Sequence, residues 1–143
     1  MNINLIKSFE GFRSHAYQDS TGYWKLGYGT IYYPDGTAVA EGDSCTEAQA
    51  AEWLSSKCAT IQKEIAEHVI VQLTDNQLTA LVSFCCNPGI ETLLRSSLLK
   101  YLNRGDYTKA AQEFPKWCRV SGLVSSYLVK RRLAEQQLFE SGI

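Results

Sequence analysis

Glu-Gly-Phe-Arg-Ser-His-Ala-Tyr-Gln-Asp-Ser-Thr-Gly-Tyr-Trp-Lys-Leu-Gly-Tyr-Gly-Thr, residues 10–30, decides how this chain is read. Glu10 closes a short amphipathic segment in which Ile3, Ile6 and, less strictly, Leu5 and Phe9 keep helical spacing. Gly11 takes a left-handed C-terminal conformation cheaply, so the helix is expected to stop there. Glu10 then faces the negative end of the helix dipole, which disfavours its ionised form and suits a proton donor. Asp19 follows within the turn signal Asp19-Ser20-Thr21-Gly22, which places it at a strand end. Tyr17, Tyr23, Trp24, Tyr28, Tyr32 and Tyr33 are strand-prone, and Gly22, Gly27 and Gly29 mark turns or close backbone approach. Residues 14–33 are therefore expected to form a tight β-hairpin. Two acids on rigid elements, one protonated and one ionised, are what glycosidic cleavage requires. By spacing alone such a pair reads as two solvated surface charges. The aromatics read first as packing of a small sheet and second as platforms for sugar rings.

The words around the acids are more specific. Glu-Gly-Phe-Arg at 10–13, Ala-Tyr-Gln-Asp at 16–19, Gly-Tyr-Trp-Lys-Leu-Gly-Tyr-Gly-Thr at 22–30 and Gly-Asp-Ser-Cys-Thr at 42–46 resemble the phage-type lysozymes, the endolysins of glycoside hydrolase family 24. The resemblance continues through Ala-Leu-Val-Ser-Phe-Cys-Cys-Asn-Pro-Gly at 80–89, the segment 95–107 and Leu-Val-Lys-Arg-Arg-Leu-Ala-Glu at 128–135, so it covers nearly the whole chain. It implies an α+β, mostly helical, two-lobed lysozyme-like fold in a single domain spanning 1–143. A small β-hairpin lobe is expected at about 12–45. A helical lobe at about 67–143 takes in the N-terminal helix, and a helix at 46–66 links the two.

Composition agrees with an ordinary globular domain. At 143 residues the chain is long enough for a real core, and a net charge of −1 argues against general affinity for nucleic acid. Lys100, Arg104, Lys109, Lys116, Arg119, Lys130, Arg131 and Arg132 nonetheless crowd the C-terminal half. No stretch suits stable membrane insertion, and the N-terminus is too short and polar for an export signal. The five cysteines, an odd number without a Cys-x-x-Cys pair, read as small buried hydrophobes, with a disulfide after release as the minority reading. With only two histidines, no metal site is expected.

Thr46-Glu47-Ala48-Gln49 and Thr74-Asp75-Asn76-Gln77 are capping boxes. The first opens a helix whose face runs through Ala50, Trp53, Leu54, Cys58, Ile61 and Ile65. The second opens a helix, Leu78 to Cys86, apolar nearly all round and hence central, which Asn87-Pro88-Gly89 ends. Ser96 or Ser97 caps the next, Asp106 a short one running through Phe114, and a last helix is expected over 127–139.

The resemblance implies residue roles. Glu10 is the general acid and Asp19 the second carboxylate, in an inverting hydrolysis of the β-1,4 bond between N-acetylmuramic acid and N-acetylglucosamine. No cofactor is implied. The partner is the peptidoglycan strand, the protein a monomer, and its place the host cytoplasm until release to the wall. Tyr28, Ser83 and Asn87 are candidates for binding substrate, and Arg131, or its neighbour Arg132, for supporting Glu10. A surface pair of Arg131 with Glu135 is the bland alternative. One departure stands out: the family threonine six positions after the aspartate is Lys25 here. A hydroxyl donates and accepts, whereas an ammonium only donates. Lys25 either turns to solvent, substitutes for the threonine while partly neutral, or marks a site that binds wall without efficient hydrolysis. A lytic transglycosylase is a further alternative.

Overall fold

In the computed structural model, which describes residues 1–143, the chain divides into two units, Ile3–Thr60 and Ile61–Ile143 with Met1–Asn2. Helix α1, Asn4–Glu10, opens the first. It stops because Gly11 turns to φ 71° and ψ 149°, where a side chain would strain the backbone. This is the extended mirror region rather than the left-handed helical one expected. Strands β1, Arg13–Gln18, and β2, Trp24–Gly27, pair antiparallel through Tyr17 with Lys25 and Gln18 with Trp24. Between Arg13 and Tyr17 the register shifts, and there β1 bonds the other way: Ala16 N–H donates to Asp43 O at 2.8 Å and Cys45 N–H to Ser14 O at 2.9 Å. The hairpin is thus flanked by residues 43–45.

Helix α2, Glu47–His68, starts at the Thr46 capping box, with both reciprocal bonds made at 3.0 and 3.2 Å. Ile6, Leu26, Ala50 and Leu54 form the core of this unit. Gly27 is required where β2 meets α2, since a Cβ there would lie 2.7 Å from that of Ala50. The division between units falls inside α2. The N-terminal helix, expected with the helical lobe, belongs with the hairpin, because its carboxyl end packs on the loop after β2.

The second unit holds α3, Asp75–Cys85; α4, Ile90–Leu94; α5, Ser97–Asn103; and α6, Tyr107–Ala111. A 3-10 turn at Phe114–Lys116, strands β3, Arg119–Val120, and β4, Leu123–Val124, and helix α7, Ser126–Glu140, follow. The Thr74 box, Ser96 and Asp106 cap as expected. Helix α3 packs on α7, and Phe84, Phe114 and Phe139 meet ring to ring at 5.4–5.8 Å. Two elements escaped the sequence reading. Helix α4 is a single turn after Gly89, too short for periodicity to register. The β3–β4 hairpin turns on Ser121 and Gly122, both at positive φ, a two-residue turn closed by the pairs Val120 with Leu123 and Arg119 with Val124. Helix α6 ends at Ala111, short of Phe114, and Pro115 sits in the 3-10 turn beyond it.

All five cysteines are free thiols. Cys58 and Cys85 are buried, as small hydrophobes would be, whereas Cys45, Cys86 and Cys118 are half-buried.

Candidate active site

Asp19 stands in the turn between β1 and β2, and that turn's own sequence builds its cradle. Its Oδ1 accepts from the Thr21 hydroxyl at 2.6 Å, the Thr21 N–H at 2.9 Å and the Tyr23 N–H at 3.0 Å. Its Oδ2 faces the Lys25 ammonium at 3.4 Å. These donors favour the carboxylate, so Asp19 is held below the usual carboxylate range. The Thr21 hydroxyl contributes most, partial burial opposes it, and the two N–H groups and Lys25 add to it. One oxygen is saturated. The other has only an ammonium near it, and is the one left for a water. Lys25 does not turn out to solvent; cross-strand from Tyr17, it reaches back over Asp19.

Glu10 is the last residue of α1, half-buried, and its carboxylate rests on the Gly29 backbone. A Cβ at Gly29 would come within 2.9 Å of Glu10 Oε2, and Gly29 holds φ +77°. Glycine is therefore needed both for the turn and for the room the acid occupies. Gly29→Ala is expected to cut wall-lysis activity by roughly tenfold to a hundredfold, because a shift of about 1 Å in a catalytic group costs on that order. A turbidity assay beside a melting curve checks this, with activity falling further than stability accounts for. The dipeptide pattern around Gly29 signalled close backbone approach, but which group approaches was not legible.

Tyr28 is reassigned. It is only 8% exposed, its hydroxyl donates to Glu47 Oε1 at 2.8 Å, and Phe12 lies against its ring. Lys7 lies 5.6 Å above that ring and pairs with Glu47 at 3.6 Å. The bond to Glu47 raises the phenol above its ordinary range. Tyr28 thus ties α1 to α2, with no open face for a sugar.

Ser83 is likewise a packing residue. It is fully buried on α3, and its hydroxyl donates to Glu135 Oε2 at 2.5 Å. Arg131 is 1% exposed and donates through Nε to that same oxygen at 3.3 Å and through Nη2 to Ser83 O at 3.0 Å. The pair with Glu135 exists, but deep inside rather than on the surface. Arg132 joins it, with Nε 2.9 Å from Glu135 Oε1. Asn87 is exposed and lines a hollow of about 320 Å³ with Trp117, Lys116 and Arg119. The structure therefore places Glu10 against Gly29 and Asp19 against Lys25, both in the first unit, and Ser83 with Arg131 in the second. Thr21, the strongest partner of Asp19, was overlooked; its signal was Asp-x-Thr, where a hydroxyl two residues on reaches the carboxylate.

Comparison with known proteins gives a consistent picture. Residues 7–135 match the family described as phage lysozyme. The endolysin of Bacillus phage PZA is 41% identical over 142 residues, 98% of this chain and 54% of that protein. The endolysin of Acyrthosiphon pisum secondary endosymbiont phage 1 is 40% identical over 141 residues, 96% of this chain and 93% of that protein. Among solved structures, the endolysin of Escherichia coli O157:H7 phage FAHEc1 superposes with a TM-score of 0.89 at 33% identity, over 96% of this chain and 89% of that one. The chain spans about half the length of the Bacillus phage relatives it matches.

Proposed function

Because this chain belongs to the phage lysozyme family, we propose that it is an endolysin that hydrolyses the β-1,4 bond between N-acetylmuramic acid and N-acetylglucosamine in bacterial peptidoglycan. The observation that carries this reading is the pairing of roles in one unit: Asp19 held ionised by three donors, and Glu10 seated on Gly29 at a helix end. Glu10 gives its proton to the leaving glycosidic oxygen as the C1–O bond breaks. A water on the opposite face attacks C1, and its proton passes to Asp19 Oδ2, the oxygen not already saturated. Such a single displacement inverts the anomeric centre and needs about 6.5–9.5 Å between the carboxyl groups to admit the water. The proton transfers and the oxocarbenium-like charge require only carboxylates.

We propose further that the protein acts as a monomer on glycan strands and is held inside the host until its release to the wall; the endolysin relatives support the action on the wall. No helix is long and apolar enough to cross a membrane.

Turbidity loss of purified peptidoglycan, with analysis of the new chain ends, tests the proposal. New reducing N-acetylmuramic acid ends released in the inverted configuration are expected. Ends lacking a reducing group, in the 1,6-anhydro form, would replace it with transglycosylation. No new ends at all would leave a wall-binding module, the reading favoured by Lys25 competing with water for Asp19 Oδ2.

Lys25→Thr separates these views further. A hydroxyl fixes a water while leaving a lone pair free for attack, so the rate is expected to rise by roughly tenfold, about 1.4 kcal/mol of barrier. The pH profile carries the sign. Lys25 helps to lower the Asp19 pKa, so its loss raises that pKa and moves the acid limb of kcat/KM to higher pH. Thr21→Val moves the limb further, since the Thr21 hydroxyl is the larger cause. A rate that stays flat in Lys25→Thr would remove position 25 from the mechanism.

A further inference from the structure

Glu10 ends a helix of seven residues whose start has no side-chain cap. A helix that short does not hold itself in place, so its carboxyl end must be aimed by contacts outside it. We propose that Glu47, acting through Tyr28 and Lys7, is the residue that positions the Glu10 carboxyl group for proton transfer. The inference deepens the reading of Glu10 as the acid and rests on it.

The contacts form a closed ring. Leu26 and Thr30 exchange both backbone hydrogen bonds, at 3.0 and 2.9 Å, which leaves Gly27, Tyr28 and Gly29 as a tight loop. Each of the three meets a different neighbour. Gly27 packs on Ala50 of α2, and Gly29 carries the Glu10 carboxylate. Between them, the Tyr28 hydroxyl donates to Glu47 Oε1 at 2.8 Å, in the first turn of α2. That same oxygen faces the Lys7 ammonium at 3.6 Å. Lys7 precedes Glu10 by three residues on α1, and its carbonyl accepts the Gly11 N–H that closes the helix. One carboxylate oxygen therefore holds both the seat of the acid and the helix that brings the acid to it.

Positioning explains this ring better than fold stability does. The Glu47 and Lys7 side chains are 55% and 27% exposed, and an ion pair so open to water contributes little to folding. The core of the unit lies elsewhere, at Ile6, Leu26, Ala50 and Leu54. What the ring restricts is the sliding of α1 along the 27–29 loop. The rate is far more sensitive to that motion than the fold is, because a shift of about 1 Å in a reacting group costs on the order of a hundredfold. Glu47 is thus a positioning residue. It gives and takes no proton in the reaction.

The test combines kinetics on peptidoglycan fragments, melting curves and one spectroscopic signal. Glu47→Ala opens the ring on both sides. Its kcat is expected to fall about tenfold with KM unchanged, while the melting temperature moves by no more than about 4 °C. Glu47→Gln keeps an oxygen for the Tyr28 hydroxyl and should recover most of the rate. Tyr28→Phe retains the ring against Phe12 and should fall between the two. In a Gly29→Ala background, where the seat is already displaced, Glu47→Ala should cost less than about twofold more, because changes acting on one contact do not add. Independently of turnover, the Gly29 amide resonance of nitrogen-15-labelled protein reports the neighbouring Glu10 as it titrates. That pH-dependent displacement should vanish in Glu10→Gln and shrink by about half or more in Glu47→Ala. Full kcat in Glu47→Ala, a loss confined to KM, a loss explained by unfolded protein, no rescue by Glu47→Gln, or an undiminished Gly29 signal would overturn the proposal. If Glu10→Gln still cuts peptidoglycan while Glu47→Ala disturbs the Gly29 signal, the ring of contacts stands and Glu10 is not the acid. If Glu10→Gln is inactive and Glu47→Ala fully active, the acid stands and the positioning role falls.

Discussion

Glu10→Gln is expected to lower wall lysis by about 10²–10⁴-fold while the protein keeps its fold and its affinity for wall fragments. The amide matches the carboxyl in shape, so it still fits against Gly29, where a Cβ would already come within 2.9 Å. What it lacks is a proton to give the leaving oxygen. The decisive combination is turbidity clearance, a melting curve and sedimentation with insoluble peptidoglycan, all on the same preparation. Clearance within tenfold of the parent protein would move the acid to another residue. Asp19 is a poor substitute, because three donors and an ammonium hold it in the ionised form.

The second large effect is on stability. Glu135 is fully buried between Arg131 and Arg132, with Ser83 closing the cluster from α3. Two guanidinium groups thus share one carboxylate inside the helical unit. Glu135→Leu removes the carboxylate and leaves both cations buried without it, a loss expected at about 3–5 kcal/mol. At this chain length the melting temperature should fall on the order of 10 °C. Ser83→Ala, which deletes one hydrogen bond to a charged group, should cost only about 1.5–3 kcal/mol. Urea titration of the two variants side by side reads the difference. If Glu135→Leu were as stable as the parent, the cluster would not be holding α7 to α3. Because the cost falls on folding, specific activity per folded molecule is the quantity to compare with Glu10→Gln.

Much of the fold was legible because its signals are local. Capping residues at Thr46, Thr74, Ser96 and Asp106 act on N–H groups three residues away, so their positions alone announce helix starts. Helix α4 and the β3–β4 hairpin were not legible, since five residues and two pairs are too short for a period to emerge. Ser83 and Tyr28 show the harder failure. A serine on an apolar helix and a tyrosine among glycines look free to bind sugar, yet both hydroxyls are consumed by carboxylates far along the chain, Glu135 and Glu47.

By itself the sequence determined that Glu10 ends a helix and that Asp19 sits in the turn Asp19-Ser20-Thr21-Gly22. Helix stops, caps and Asx turns depend on neighbours within a few residues. Only the tertiary structure decided that the Glu10 carboxylate lies on Gly29, that Lys25 bends over Asp19, and that Arg131 and Ser83 join one buried ionic cluster. Each of those contacts joins separate elements, and no spacing rule fixes which faces meet when the chain folds.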